Sequence, residues 1–370
     1  MNNPVMHPSA ARGAGVIGRM AYALTRLDQL LTHGFDTVID VRSPAEYAED
    51  HVPGALSLPV LSDAERAHVG TIYKQVSPFT ARKVGAALVA RNAALHLQGP
   101  LAGMGGGWRP LVYCWRGGQR SGSFATILRA VGWRVETLEG GYRTYRRLVS
   151  AALYDRPWPG PVVVLDGLTG TAKTALLARL AALGMQVMDL EGMANHRGSL
   201  FGHRPGGQPS QRAFEGRVAM AAVALDPARP VVVEAESADI GNVSIPPALW
   251  TAMRAAPRVA VTAPRAARAE YLARAYADLT ADPAALAAAI DRLRPMHPRE
   301  RIEGWQALAA AGAFAALADS LMEHHYDPRY AKSRARHPAP AATVAAEALD
   351  DAALDALAPR LAVAVAAVSR

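Results

Sequence analysis

The chain has 370 residues, too long for one ordinary hydrophobic core and suited to two domains. Apolar residues make up 51% and charged residues 19%, enough to bury sizeable cores, which excludes wholesale disorder. Forty basic and 32 acidic side chains leave a net charge of +8, compatible with a polyanionic partner, and the single cysteine, Cys114, excludes an internal disulfide and a stapled secreted scaffold.

The opening MNNPVMHPSAARGAG lacks the apolar core of a secretory signal, and residues 1–19 are expected to be a flexible N-terminus. No charge-free apolar stretch reaches the ~18 residues of a membrane span. The apolar run LAVAVAAV near the end is far shorter. A cytoplasmic protein with no membrane insertion is expected. Among the 40 basic residues only Lys74, Lys83, Lys173 and Lys332 are lysines, so a lysine in a site-like setting is informative.

In chain order, TVIDVR (37–42) and LSLPV (56–60) read as short strands, and residues 80–97 as an amphipathic helix. PLVYC (110–114) is a buried strand ending on the cysteine. SGSFATILRAVG (121–132) is a helix with a Ser start and a Gly stop. RVETLEGG is a strand and YRTYRRLVSAAL a helix. Such alternation predicts a parallel sheet covered by helices. YDRPWPGP (154–161) is a linker. A second α/β unit follows, with strands VVVLD, MQVMDL, RPVVVEA and RVAVTAP, each followed by a helix. Residues 283–325 are Ala-rich and helical, and 331–370 are expected to be a tail with at most one docked helix.

Cys114 ends its strand and is followed by Trp115, Arg116, Gly117, Gly118, Gln119 and Arg120, with a helix expected to open at Ser121. A loop running from a strand tip into a helix N-terminus can curl its N–H groups around one point, and the helix adds partial positive charge there. Two glycines let it close and two arginines add charge. The loop is an anion cradle around a sulfur, suited to holding an oxyanionic group or a charged, chalcogen-loaded cysteine. The plain alternative is a buried, inert cysteine.

Asp40-Val41-Arg42, Glu46-Tyr47, His51-Val52-Pro53-Gly54-Ala55 and the run from Cys114 to Ser121 together resemble a rhodanese domain over residues 20–153. The resemblance implies that Cys114 carries a chalcogen atom and that Asp40 and Arg42 are mainly structural.

Gly167-Leu168-Thr169-Gly170-Thr171-Ala172-Lys173-Thr174 follows VVVLD and opens a helix. It matches G-x-x-x-x-G-K-[ST] except that Ala172 replaces the second glycine. Backbone N–H groups here can wrap a phosphate, Lys173 can reach its oxygens, and Thr174 can hold Mg²⁺. If the residue before Lys173 needs a positive φ, Ala costs about 1–2 kcal/mol. Asp189 and Glu191, and Glu234 and Glu236, end two neighbouring strands. Either pair could hold the metal, Asp189 and Glu234 being the choice with Thr174, or else act as solvated ends and helix caps.

Five further strings, AHVGTIYKQ, DLEGMANHRGSLFG, PSQRAFE, VVVEAESADIGNVSIP and HHYDPRY, join these motifs. Together they resemble the tRNA 2-selenouridine synthase family over about residues 20–330. That implies a rhodanese-like α/β domain plus a P-loop NTPase-like α/β domain over 162–330 with a helical C-terminal extension. It also implies a substrate, wobble 2-thiouridine in tRNA, first S-geranylated from geranyl diphosphate and then converted to 2-selenouridine with selenophosphate from a separate supplier. Under this resemblance the Lys173 loop binds the diphosphate, with ATP or GTP as its competitor. Cys114 receives or positions selenium, with Arg116 and Arg120 on the phosphate. The family often has Cys where Ile72 stands. Arg143, Arg146 and Arg147, with Tyr142 and Tyr145, could track an RNA backbone and stack bases. His196, His203, His324 and His325 fall in family-like strings. Competing readings are an ATP-dependent sulfurtransferase or small-molecule kinase fused to a rhodanese carrier, and a redox or chalcogen sensor with a ligand-binding loop.

Overall fold

The computed structural model describes residues 21–334 and 338–369. The expected flexible segment 1–19 lies outside the described residues. The described chain divides into two compact units, one taking in residues up to 24, 34–44 and 54–144, the other 25–33, 45–53 and 145 onward.

The first unit is built on strands β1 (Ala21–Tyr22), β2 (Thr37–Asp40), β3 (Leu56–Ser57), β4 (Pro110–Tyr113) and β5 (Glu136–Leu138). Their order is β1-β5-β4-β2-β3, and every pair is parallel. The central β4 is buried throughout, which is why PLVY reads as an unbroken apolar run and not as an alternating one. Helices Pro78–Gln98 and Gln119–Val131 pack Val89, Ala93, Phe124 and Leu128 against Ile39 and Val112. Gly132, at φ +111°, ends the second helix as its Gly stop predicts. Its start is corrected: the helix opens at Gln119 with Gly118 as its cap, two residues before Ser121.

The second unit holds β6 (Val162–Gly167), β7 (Gln186–Met188), β8 (Val231–Glu234), β9 (Asp239–Ile240), β10 (Val243–Ser244), β11 (Arg258–Thr262) and β12 (Ala342–Ala345). The main sheet has the order β12-β11-β6-β8-β7 and is wholly parallel, while β9 and β10 form a small antiparallel hairpin. After β6 the chain crosses to β7 on one side, and after β8 to β11 on the other. This reversal opens a crevice at the carboxyl ends of the central strands, where ligands of doubly wound sheets bind. Helices Pro283–Asp291, Arg299–Ala310 and Phe314–Leu321 form the expected helical extension around Leu286, Ile290, Ile302, Trp305, Leu317 and Leu321.

The reading of 331–370 as a tail is corrected. β12 pairs with β11 and buries Val344. Helix Asp351–Val368 then places Leu354, Leu357, Leu361 and Val365 in one core with Leu176 and Leu180. These residues recur at three- and four-residue intervals, the helical period. The strand went unread because ATVA is too short and Ala-rich to show a β signal.

Candidate functional site

In the first unit, Cys114 sits at the tip of β4 and is buried. The turn behind it is sterically fixed. Gly117 has φ +65°, and a Cβ there would lie 2.6 Å from the Leu138 carbonyl oxygen. A Cβ on Gly141, at φ +60°, would lie 2.2 Å from the Cys114 carbonyl oxygen. Only glycine allows the 114–118 loop and the 138–141 turn to touch backbone to backbone. The Tyr142 N–H donates to the Cys114 carbonyl at 2.9 Å and the Arg143 N–H to that of Trp115 at 3.2 Å. The buried Ser121 hydroxyl lies 3.2 Å from both Cys114 Sγ and the Gly118 carbonyl oxygen. Arg116, Gly118 and Gln119 are exposed, and Arg120 is half-buried. The loop therefore presents one shielded sulfur with an arginine-bearing rim.

Asp40 and Arg42 form an ion pair that is almost fully buried, with Arg42 Nη2 2.6 Å from Asp40 Oδ2. The Arg42 guanidinium carbon lies 4.0 Å from the Tyr142 ring centre and 5.9 Å from that of Trp115. This pair stiffens the wall beside the cysteine loop.

In the second unit, β6 runs into the 168–172 loop and helix Lys173–Ala182. Ala172 sits in the left-handed region, φ 58° and ψ 30°, the conformation in which the missing glycine matters. The loop is clamped from outside. Arg268 donates to the Thr169 carbonyl at 3.1 Å, and a Cβ on Gly170 would lie 3.0 Å from the Arg268 carbonyl oxygen. Lys173 Nζ donates to the Gly167 carbonyl at 3.3 Å. Burial disfavours its charge, but Tyr330, Glu236, Glu191 and Glu234 outweigh this and hold it protonated above the ordinary lysine range.

The Thr174 hydroxyl oxygen lies 3.1 Å from carboxylate oxygens of both Glu191 and Glu234, and Glu234 also accepts from the Glu191 N–H at 2.8 Å. Burial raises Glu234 well above the carboxylate range, with Glu191 and Asp189 adding to it. Glu236 is pushed up to about 8 by burial and by the neighbouring Glu191 charge. Two carboxyl groups, Glu191 and Glu234, meet at one hydroxyl, with Glu236 beside Glu191, so the residues fit a divalent cation. Among the described residues no three His, Cys, Asp or Glu side chains are placed to hold a metal alone. A hard cation here would take Thr174 and a glutamate and complete its shell with phosphate oxygens and water.

A cavity of about 700 Å³ opens over the loop. Besides Lys173 it is lined by Arg197, Arg204, Arg258 and Arg329, with Asp166, Glu191 and Glu236 among them, a setting for a polyphosphate that brings a cation.

The structure brings Gly167, Thr169, Gly170, Thr171, Ala172, Lys173 and Thr174 together as one loop. It corrects the choice of Asp189: this carboxylate accepts from the Gly192 N–H at 2.7 Å and caps the short helix Leu190–Ala194, so Glu191 stands with Glu234 at Thr174. Base stacking on Tyr142 and Tyr145 is also corrected, since both rings are buried. Arg146 is paired with Glu215, which is buried, whereas Arg143 and Arg147 are exposed. His196 and His203 meet edge to face with ring centres 5.1 Å apart, and His325 Nδ1 lies 2.9 Å from Nε2 of His297. His324 faces outward. Sequence reasoning missed Arg268, Arg197, Arg204 and Arg329. Arg197 and Arg329 had a signal, their places in DLEGMANHRGSLFG and HHYDPRY. No helix among the described residues is long and apolar enough to cross a membrane.

Residues 160–294 match the family model described as the tRNA 2-selenouridine synthase AAA domain, and residues 23–148 match that of the rhodanese-like domain. The chain is 38% identical over 242 residues to a protein of Aeromonas salmonicida named tRNA 2-selenouridine synthase, a match covering 65% of this chain and 64% of the other. It is 37% identical over 254 residues to one of the same name from Chromohalobacter salexigens, covering 65% of each. With the Nitrosomonas europaea protein of that name it is 35% identical over 243 residues, covering 65% of this chain and 63% of the other. The chain thus spans just under two thirds of the length of these relatives. Residues 23–148 and 160–294 therefore match the rhodanese-like and tRNA 2-selenouridine synthase AAA domain models, the pairing that the cysteine loop and the phosphate loop led us to expect.

Proposed function

We propose that the chain is a tRNA-modifying transferase that converts wobble 2-thiouridine to 2-selenouridine through the S-geranyl intermediate. The observation that carries this reading is a lysine phosphate loop facing an arginine-lined cavity, in a chain that also presents a glycine-framed cysteine. The relatives' names supply the tRNA substrate.

In the first step the thiocarbonyl sulfur attacks C1 of geranyl diphosphate. The S–C bond forms, the C–O bond breaks, and diphosphate leaves with the electron pair as the nucleoside N3 proton is lost. Lys173, the loop N–H groups and the cavity arginines neutralise the leaving group. Mg²⁺ at Thr174, Glu191 and Glu234 would add charge on the same oxygens. In the second step the selenium of selenophosphate adds to C2 and geranylthiol departs. Water then cleaves the Se–P bond to give phosphate and 2-selenouridine. Cys114 and its loop position the selenium, and Arg116 and Arg120 hold the phosphate. Selenophosphate comes from a separate supplier, and exposed Arg143 and Arg147 meet the tRNA backbone.

The test is to incubate the protein with 2-thiouridine tRNA, geranyl diphosphate and selenophosphate, without ATP, and to analyse the nucleosides by mass spectrometry. S-geranyl-2-thiouridine followed by 2-selenouridine supports the reading. Product that forms only with ATP assigns the loop to a nucleotide, and ligand binding without product leaves a sensor.

A further inference from the structure

A smaller cavity of about 70 Å³ adjoins the one over Lys173. Five residues line both: Thr169, Ser199, Leu272, Tyr276 and Tyr326. Across these shared residues the chemistry changes from charged to largely apolar. The larger cavity presents Lys173 and several arginines, whereas no charged side chain lines the smaller one. Its walls are Phe201, Leu286, Phe314, Leu317, Leu321 and Met322. Met322 and Tyr326 bracket a single π-helical turn at the end of helix Phe314–Leu321. Such turns are rare inside helical segments and concentrate at ligand sites.

We propose that this apolar cavity holds the hydrocarbon end of an allylic diphosphate whose diphosphate is gripped by the Lys173 loop. The proposal rests on the reading of that loop given above. A ligand filling both cavities must join a polyanionic head to an apolar tail. A nucleotide fits this poorly, because walls dominated by Leu, Phe and Met, with hydroxyls only from residues such as Thr280, Tyr276 and Tyr326, leave most of a base's N–H groups and ring nitrogens unpartnered. Size narrows the tail. One water needs about 10–15 Å³ of such space, so the cavity takes about five water-sized groups, one isoprene unit. A ten-carbon chain sets its far unit inside and its near unit among the shared residues, with C1 left on the polar side. A fifteen-carbon chain exceeds the space.

The test is calorimetric titration of the full chain, with Mg²⁺, by inorganic pyrophosphate, geranyl diphosphate and farnesyl diphosphate. Ala318→Phe, which fills the cavity from helix Phe314–Leu321, is expected to weaken geranyl diphosphate at least tenfold and leave pyrophosphate within about twofold. Phe314→Ala, which enlarges it, is expected to improve farnesyl relative to geranyl diphosphate. Lys173→Ala is expected to weaken all three. Unchanged pyrophosphate affinity reports that a variant is folded; should Ala318→Phe lose it, the Phe314→Ala chain-length ratio decides. Geranyl diphosphate binding that depends on Lys173 but ignores both cavity variants overturns the tail site alone. Pyrophosphate binding that ignores Lys173 overturns the loop reading itself.

Discussion

Arg268 forks onto Asp327, with Nη1 3.0 Å from Oδ1 and Nη2 2.8 Å from Oδ2, while its Nη1 also reaches the Thr169 carbonyl at 3.1 Å. One nearly buried guanidinium thus ties the phosphate loop to the residue that follows the π-helical turn. Breaking a buried pair from one side leaves an uncompensated charge and costs about 3–5 kcal/mol. Asp327 is a quarter exposed, so water recovers part of this and about 2 kcal/mol is the expected loss for Asp327→Ala. Urea unfolding measures it. The same variant should weaken pyrophosphate binding, because Arg268, which holds the Thr169 carbonyl, loses the carboxylate that orients it. Unchanged binding with reduced stability would confine the pair to a structural role.

The left-handed Ala172 sets up a second experiment. Its conformation costs about 1–2 kcal/mol. Against that, its methyl group is buried among Leu176, Leu177 and Val261, contributing about 0.8 kcal/mol, and glycine would free the unfolded chain by about 0.4–1 kcal/mol. The terms cancel, which explains how a phosphate loop tolerates alanine here. Ala172→Gly should therefore leave stability within about 1 kcal/mol of the parent, by denaturant titration. Ala172→Val, a β-branched residue at positive φ, should lose more than about 2 kcal/mol.

Glu236 gives a pH dependence. In the fold its carboxyl titrates at about 8, pushed up by burial and by Glu191, against an ordinary 4.5. Below 4.5 both folded and unfolded chains hold the proton. Between 4.5 and 8 only the folded chain does, so this group's contribution to stability falls as pH rises through that window and is flat above it. Glu236→Gln should raise the Tm of the ligand-free protein at pH 8.5 and change it little at pH 4.5. An equal shift at both pH values would mean that the glutamate is not protonated in the fold.

The parts of the molecule legible in the sequence are those whose geometry is local. Cys114 and Lys173 each sit on a strand–loop–helix unit within a dozen residues, so spacing alone places them. Arg268 and Asp327 meet across 59 positions, and nothing in the spacing of RAARAEYLARA singles out the one arginine that the fold buries. The choice between Asp189 and Glu191 turned on where the next helix starts, and a start at Leu190 converts Asp189 into its cap. Tyr142 and Tyr145 did carry a signal: with Val149 and Leu153 they recur at helical spacing on the buried face, which favours packing over base stacking.

The two proposed steps can be separated by one variant in each unit. Cys114→Ser keeps a small polar side chain next to Ser121 but removes the sulfur, so it should spare geranylation and stop selenium incorporation. Lys173→Ala removes the cation held above the carboxylate cluster, so it should abolish geranylation while still converting tRNA supplied already S-geranylated. Nucleoside mass spectrometry reads both steps from one digest. Circular dichroism melts would confirm that each variant is folded, since neither change opens a large apolar void. Loss of S-geranyl-2-thiouridine in folded Cys114→Ser, or of 2-selenouridine from already S-geranylated tRNA in folded Lys173→Ala, would show that the steps share their essential groups, and the division of labour between the cysteine loop and the phosphate loop would fall.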